Sequence, residues 1–257
     1  MSVLDNPAWW ALCGSQRGLG TVSGRVGRFD PAVSPFGAIP ADPTPEDWGD
    51  LVGIVGPGGQ LALIEEHEGA VRPGSGWSVT WELAGVQMIW GGAEPGPTPR
   101  FGAGDGQSDT ATGLSPLGAE DVEEMLALVE LAQPGPFVAR TVEFGGYLGV
   151  RSGGRLIAMA GERLRPPGFA EISAVATDPA HRRQGLGERL VRSVAAGILA
   201  RDETPFLHAA ATNVNAIRLY ESIGFTVRRQ VAFAVVRAPG VGLIRFDGQV
   251  ASVDYAA

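Results

Sequence analysis

Six consecutive residues, Arg182-Arg183-Gln184-Gly185-Leu186-Gly187, place two guanidinium groups and two glycines where a strand gives way to a helix. Glycine lets the main chain approach a ligand closely. The start of a helix offers free N–H groups at the positive end of its dipole. Such a turn can hold a phosphate without any side chain, and Arg182 and Arg183 add charge beside it. Glycine near a helix start is also common in plain structural turns. A second block, Asn213, Ala216, Leu219, Tyr220, Ile223, Gly224 and Phe225, has the form of a helix capped by Asn213 and closed by Gly224. Ala216, Leu219, Tyr220 and Ile223 share one face of it, where Tyr220 taken alone reads as core filler. His67, His181 and His208 are too scattered for a metal site, and His208, in a strand, reads as a satisfied core histidine. Gly102-x-Gly104-x-Gly106 lacks the strand and helix that a phosphate loop needs.

The elements around these blocks follow from periodicity. Before residue 91, apolar runs at 61–64, 77–83 and 86–90 suggest strands, and 46–55 a short helix. Trp9, Trp10, Trp77 and Trp81 read as core of this part. Residues 91–113 are rich in Gly, Pro, Ser and Thr and read as a linker. Residues 120–132 carry Val122, Met125, Leu126, Val129 and Ala132 at helical spacing, with acids near the start. Strands are expected at 147–150 and 156–160 around Ser152-Gly153-Gly154, and at 170–177. A long amphipathic helix follows over 185–200, then a strand at 206–211, the helix from Asn213 to about Ile223, and one or two strands over 225–236. The order is α, β, β, β, α, β, α, β.

Composition bounds the function. The chain has 257 residues, 44% apolar and 19% charged, an ordinary globular balance. It has no lysine, which excludes a lysine nucleophile or Schiff base. Cys13 is its only cysteine, so an internal disulfide is impossible. No apolar run is long enough for a membrane span, and the N-terminus lacks the pattern of a signal peptide, so a cytoplasmic protein is expected. Residues 1–110 hold 5 Arg against 13 acids and carry the whole formal charge of −8. That argues against nucleic acid as a partner, keeps the protein soluble, and mildly favours a cationic substrate.

In this order, one helix and one strand apart, the two blocks resemble the GNAT superfamily of acetyl-CoA-dependent N-acetyltransferases. Arg182-x-x-Gly185-x-Gly187 is similar to its pyrophosphate-binding signature. Ala174-Val175-Ala176-Thr177-Asp178-Pro179 is similar to its splayed strand and turn, and Asn213 to Phe225 to its later helix. The resemblance covers about residues 114–237. It implies an α/β (α+β) fold with a mixed, mostly antiparallel sheet flanked by helices. The domains expected are 1–95, a smaller α/β half that is similar to a reduced GNAT-like unit, then a linker at 96–113, the acetyltransferase domain at 114–240, and a tail at 241–257.

The resemblance further implies acetyl-CoA as co-substrate and no metal. Main-chain groups of Val175, Ala176 and Thr177 would pair with the pantetheine arm as an added strand. The amides from Arg183 through Gln184, Gly185, Leu186, Gly187 and Glu188 would hold the pyrophosphate beside Arg182. Asn213 and Tyr220 would lie at the thioester end, with Tyr220 protonating the leaving thiolate. Glu188 is a departure, since an acid facing the pyrophosphate would repel it, so its side chain is expected to point outward. Glu171 is the first candidate for the base that deprotonates the acceptor amine and Glu162 the second, each with a purely structural alternative. Cys13 lies outside the matched region, so direct transfer in a ternary complex is expected rather than an acetyl-cysteine. The acceptor stays open among small amines, peptides and protein N-termini, and exposed strand edges are compatible with a homodimer. The rival reading is a catalytically silent CoA-binding module that recognises a partner through its first part.

Overall fold

The computed structural model describes residues 2–66, 72–92, 113–240, 242–246 and 249–253. The linker expected at 96–113 therefore lies almost wholly outside the described residues, as do His67, the Gly102–Gly106 run and parts of the tail.

The chain begins with helix α1 (Pro7–Cys13), which starts on a proline and is capped by Asn6, whose side chain accepts from the Trp9 N–H. Three short strands follow, β1 (Gly20–Ser23), β2 (Val26–Phe29) and β3 (Gly37–Ala38), forming a small antiparallel sheet. Helix α2 (Pro45–Val55) opens on a reciprocal cap between Thr44 and Asp47. Two strands, β4 (Gln60–Glu66) and β5 (Ser78–Trp90), complete the part before residue 93. After residue 112 come β6 (Ser115–Pro116), α3 (Val122–Ala132), β7 (Leu148–Ser152), β8 (Arg155–Glu162) and β9 (Phe169–Thr177). Then come α4 (Leu186–Leu199), β10 (Thr204–Ala210), α5 (Val214–Ser222) and β11 (Phe225–Arg237). A hairpin of β12 (Gly242–Phe246) and β13 (Gln249–Val253) ends the described chain.

Eight strands form one sheet in the order β4-β11-β5-β10-β9-β8-β7-β6. Its described pairs are antiparallel apart from β9–β10, so the expected mixed, mostly antiparallel sheet is what forms. The early strands enter it deeply. β5 lies between β10 and β11 and pairs with β11 over nearly its whole length, and β4 closes the edge. The boundary at 95/96 thus does not separate two sheets. Residues 78–90 form one strand rather than two, and 225–237 form one long final strand.

One face of the sheet is covered by α4 and α5. Leu190, Val191, Val194 and Ile198 pack there with Ile157, Ala170, Ile172 and Leu207. The other face is covered by α1 and α3, with Leu4, Leu12 and Phe206 in one cluster and Met125, Leu128 and Tyr147 in the next. Trp77 meets Trp48 of α2 at a tilt, 5.1 Å between ring centres. Trp10 and Trp81 depart from the expected core. α1 buries Ala8, Ala11 and Leu12 and turns Trp10 outward, and Trp81 stands 51% exposed near the solvated end of β5.

Tyr147 meets Phe137 edge to face at 5.7 Å, and its hydroxyl is buried without a hydrogen-bond partner among the described residues. Burial pushes its phenol well above the usual range. An unpaired buried hydroxyl costs stability. Tyr147→Phe is therefore expected to raise the unfolding free energy by about 1 kcal/mol in urea denaturation; a loss of stability would show that the hydroxyl is bonded.

Candidate active site

The parallel ladder between β9 and β10 runs from Phe169↔Thr204 to Ile172↔Leu207 and stops. Beyond that point Ala176 and Thr177 pair with β8, and His208, Ala209 and Ala210 pair with β5. The two central strands therefore splay, and each leaves a main-chain edge facing the gap. The cause is local. Ala174 sits at φ +52, in the left-handed region that a side chain rarely adopts, and the β8–β9 register shifts between Met159 and Gly161. Val175 and Thr177 are half-buried along the opened edge, and the side chain of Ala176 is buried on the α3 face.

The start of α4 faces the same region. Arg183 at φ +63 and Gly185 at φ +72 wind the preceding turn, with Gly185 as the N-cap and the Arg189 N–H returning to its carbonyl at 3.0 Å. Alternating left-handed residues beside a helix start turn successive N–H groups toward a common point. Arg182, Arg183, Gln184 and Gly185 are exposed, and Leu186 anchors the helix in the core. A methyl group built on Gly185 would meet no atom within 4 Å. One on Gly187 would sit 3.8 Å from Leu219 and 4.0 Å from Val175, so the turn, the opened β9 edge and α5 converge. Glu188 bonds Arg192 one turn later at 2.9 Å.

On α5, Asn213 caps the helix, its side-chain oxygen accepting from the Ala216 N–H at 3.2 Å. Tyr220 is 8% exposed, packs against Phe225 and belongs to the core that includes Leu186, Leu190 and Leu207. Burial pushes its phenol up to about 12, so it is protonated throughout the neutral range.

Neither candidate base is a free carboxylate. Glu162 is buried and accepts from the Arg201 guanidinium at 2.8 Å. Glu171 is fully buried and takes two donors on each oxygen. Oε2 accepts from Arg163 Nε at 2.9 Å and the Leu164 N–H at 3.3 Å; Oε1 accepts from Arg163 Nη2 at 2.5 Å and lies 2.7 Å from His208 Nδ1. Burial alone would raise the Glu171 carboxyl. The charge of Arg163, the largest effect against burial, and the hydrogen bonds from His208 and Arg163 overcome it and hold the group well below the usual carboxylate range. Arg163 also lies over the Phe36 ring, 4.6 Å from its centre.

Sequence reasoning missed Arg163 and the far side of His208, where Gln87 Nε2 lies 3.1 Å from His208 Nε2. A signal existed for the first. Arg163 lies three residues past the apolar run 156–160, and the hairpin that joins it to the next strand brings it opposite Glu171, as a cross-strand ion pair requires. Gln87 offered none, because its strand comes from far earlier in the chain.

Residues 147–234 match the family model described as FR47-like protein. Over 82 residues, 31% of this chain and 51% of the relative, the sequence is 39% identical to the N-alpha-acetyltransferase RimI of Mycobacterium tuberculosis. Over 71 residues, 24% of this chain and 22% of the relative, it is 39% identical to the mycothiol acetyltransferase of Mycobacterium avium. The matches thus span about half and about a fifth of these two curated relatives. The crystal structure of a GNAT-family protein from Novosphingobium aromaticivorans aligns over 92% of this chain and 98% of its own, with 39% identity and a TM-score of 0.76. Likeness at that identity over nearly the full length of both chains, on top of the splayed strands and the glycine turn, places this chain in the GNAT family of acetyltransferases.

Proposed function

We propose that the protein transfers an acetyl group from acetyl-CoA to a primary amine by direct attack in a ternary complex. The observation that carries this reading is the opened β9 edge lying beside the glycine turn of α4 and next to α5. The main chain of Val175, Ala176 and Thr177 pairs with the pantetheine arm as an added strand. The amides from Arg183 to Glu188 receive the pyrophosphate, with the Arg182 and Arg183 guanidinium groups beside them. The neutral amine nitrogen bonds to the acetyl carbon, the carbon–sulfur bond breaks, Tyr220 supplies a proton to the departing sulfur, and the proton shed by the nitrogen passes through solvent and restores the phenol. The open space at Gly185 fits the phosphate role. An amine acceptor is in keeping with the name of the N-alpha-acetyltransferase relative, and the acidic part before residue 110 favours a cationic one.

Calorimetry with acetyl-CoA, followed by a panel of amines, tests this. Saturable binding with transfer supports it. Binding without transfer to any amine favours a silent CoA-binding module, and no binding removes the reading. Tyr220→Phe is expected to lower turnover about a hundredfold with acetyl-CoA affinity nearly unchanged; unchanged turnover would remove Tyr220 as the proton donor.

A further inference from the structure

We propose that Glu171, His208 and Gln87 are positioning residues: a buried cross-tie, anchored on the N-terminal segment, that sets how far β10 stands from β9 without exchanging protons with the substrate. The proposal rests on the functional reading above, but its geometry stands apart from it. The Glu171–His208 contact joins β9 to β10 at the place where their main-chain ladder ends, since the last paired residues are Ile172 and Leu207. The His208 side chain is 1% exposed although the residue is only partly buried, so what solvent reaches there is main chain at the open edge.

The hydrogen bonds leave one assignment of protons. Gln87 Oε1 accepts from Arg228 Nη1 at 2.7 Å, and Gln87 Nε2 donates to the Leu4 carbonyl at 2.9 Å. The amide orientation of Gln87 is fixed at both ends, so the group facing His208 Nε2 is a donor. His208 Nε2 must therefore accept, and its proton sits on Nδ1, aimed at Glu171 Oε1. Arg228 is held in turn by Asp5, which also binds Arg229. Gln16 reaches the same region, donating to the Arg163 carbonyl and accepting from the Arg165 N–H. Leu4, Asp5 and Gln16 thus brace the residues that surround the Glu171–His208 contact. With four donors on its two oxygens, Glu171 has no lone pair left for an incoming ammonium or a water, and a group so enclosed can orient its neighbours but cannot take their protons.

The test uses the full chain with 15N-labelled histidine, of which it has three. The His208 signal, assigned by its loss in His208→Asn, is expected to show a protonated Nδ1 and a bare Nε2. A proton on Nε2 overturns the proposal. Two substitutions then separate tie from bulk. An asparagine amide can still donate to Glu171 from near the Nδ1 position, and leucine cannot. In His208→Leu, hydrogen exchange of the 169–172 and 204–207 ladder is expected to speed up about tenfold and acetyl-CoA affinity to fall about tenfold, the weight of one charge-assisted hydrogen bond. His208→Asn is expected to stay within about threefold of wild type in both, less than half that weight. A base acting only on the acceptor would move neither quantity. Wild-type exchange and affinity in a folded His208→Leu overturn the proposal, as does an Asn variant as impaired as Leu. If the leucine variant fails to fold, the histidine spectrum and the asparagine variant still decide. Wild-type protein that shows the expected imidazole signal and faster exchange in the leucine variant, yet binds no acetyl-CoA, leaves the tie standing and removes the functional reading instead.

Discussion

Replacing Arg163 with leucine is expected to lower the unfolding free energy by about 3–5 kcal/mol at neutral pH, the usual cost of removing one partner from a buried ion pair. The Arg163 side chain is 8% exposed and that of Glu171 is fully enclosed. Leucine takes away two of the four donors on Glu171 and leaves its charge buried with the Leu164 N–H and His208. The pH dependence gives a second reading of the same change. The folded Glu171 carboxyl is held well below its ordinary 4.5, first by the charge of Arg163. A depressed acid contributes stability above its unfolded pKa and loses it as pH falls through the folded one. The wild type should therefore lose stability as pH falls from about 4.5 toward the folded value on account of this group. Arg163→Leu should show a much flatter acid limb, so the two stability curves converge below pH 4. Urea denaturation at several pH values measures both effects. A neutral-pH loss under about 1 kcal/mol, or parallel acid limbs, would show that Arg163 does not hold the charge of Glu171.

What could be read from the chain before its structure depended on how local the cause was. The helices α4 and α5 were legible because their stripes, the Asn213 cap and the two glycines lie within a few residues of one another. The pairing of β7 with β8, expected as strands at 147–150 and 156–160, was legible from Ser152-Gly153-Gly154, since a short turn fixes its own partner strand. The place of β5 was not, because its neighbours β10 and β11 follow it by more than a hundred residues and nothing in its own pattern names them. Distance also hid most of what surrounds Glu171. Glu171 reads as an available carboxylate along the chain. Arg163 comes to it from just past the end of the preceding strand, His208 from the next strand, and Gln87 and Leu4 from the first hundred residues. Trp81 misled in the opposite sense. Its apolar neighbours suggest a core strand, but the first half of β5 runs past the packed layer, where exposure is set by what lies above the sheet and not by the strand's own composition.

Exchanging both Gly185 and Gly187 for valine is expected to weaken acetyl-CoA binding at least about a hundredfold while costing the fold only about 1–2 kcal/mol. The two effects separate because the space that the new side chains would fill belongs to the ligand rather than to the protein. At Gly185 the added Cβ meets no protein atom within 4 Å, so the folded chain bears only the left-handed backbone at φ +72. Arg183, at φ +63, already bears the same conformation two residues earlier. At Gly187 the contacts with Leu219 and Val175 are at ordinary van der Waals distance, and a side chain in the first turn recovers some helix propensity. A phosphate approaching these amides has no such latitude, because N–H contacts near 2.9 Å leave no room for a branched side chain between donor and acceptor. Calorimetry and urea denaturation on the same preparations separate the two quantities. Binding within about threefold of wild type in a folded double variant would mean that the turn does not receive the pyrophosphate, and the proposed seat of acetyl-CoA would fall with it.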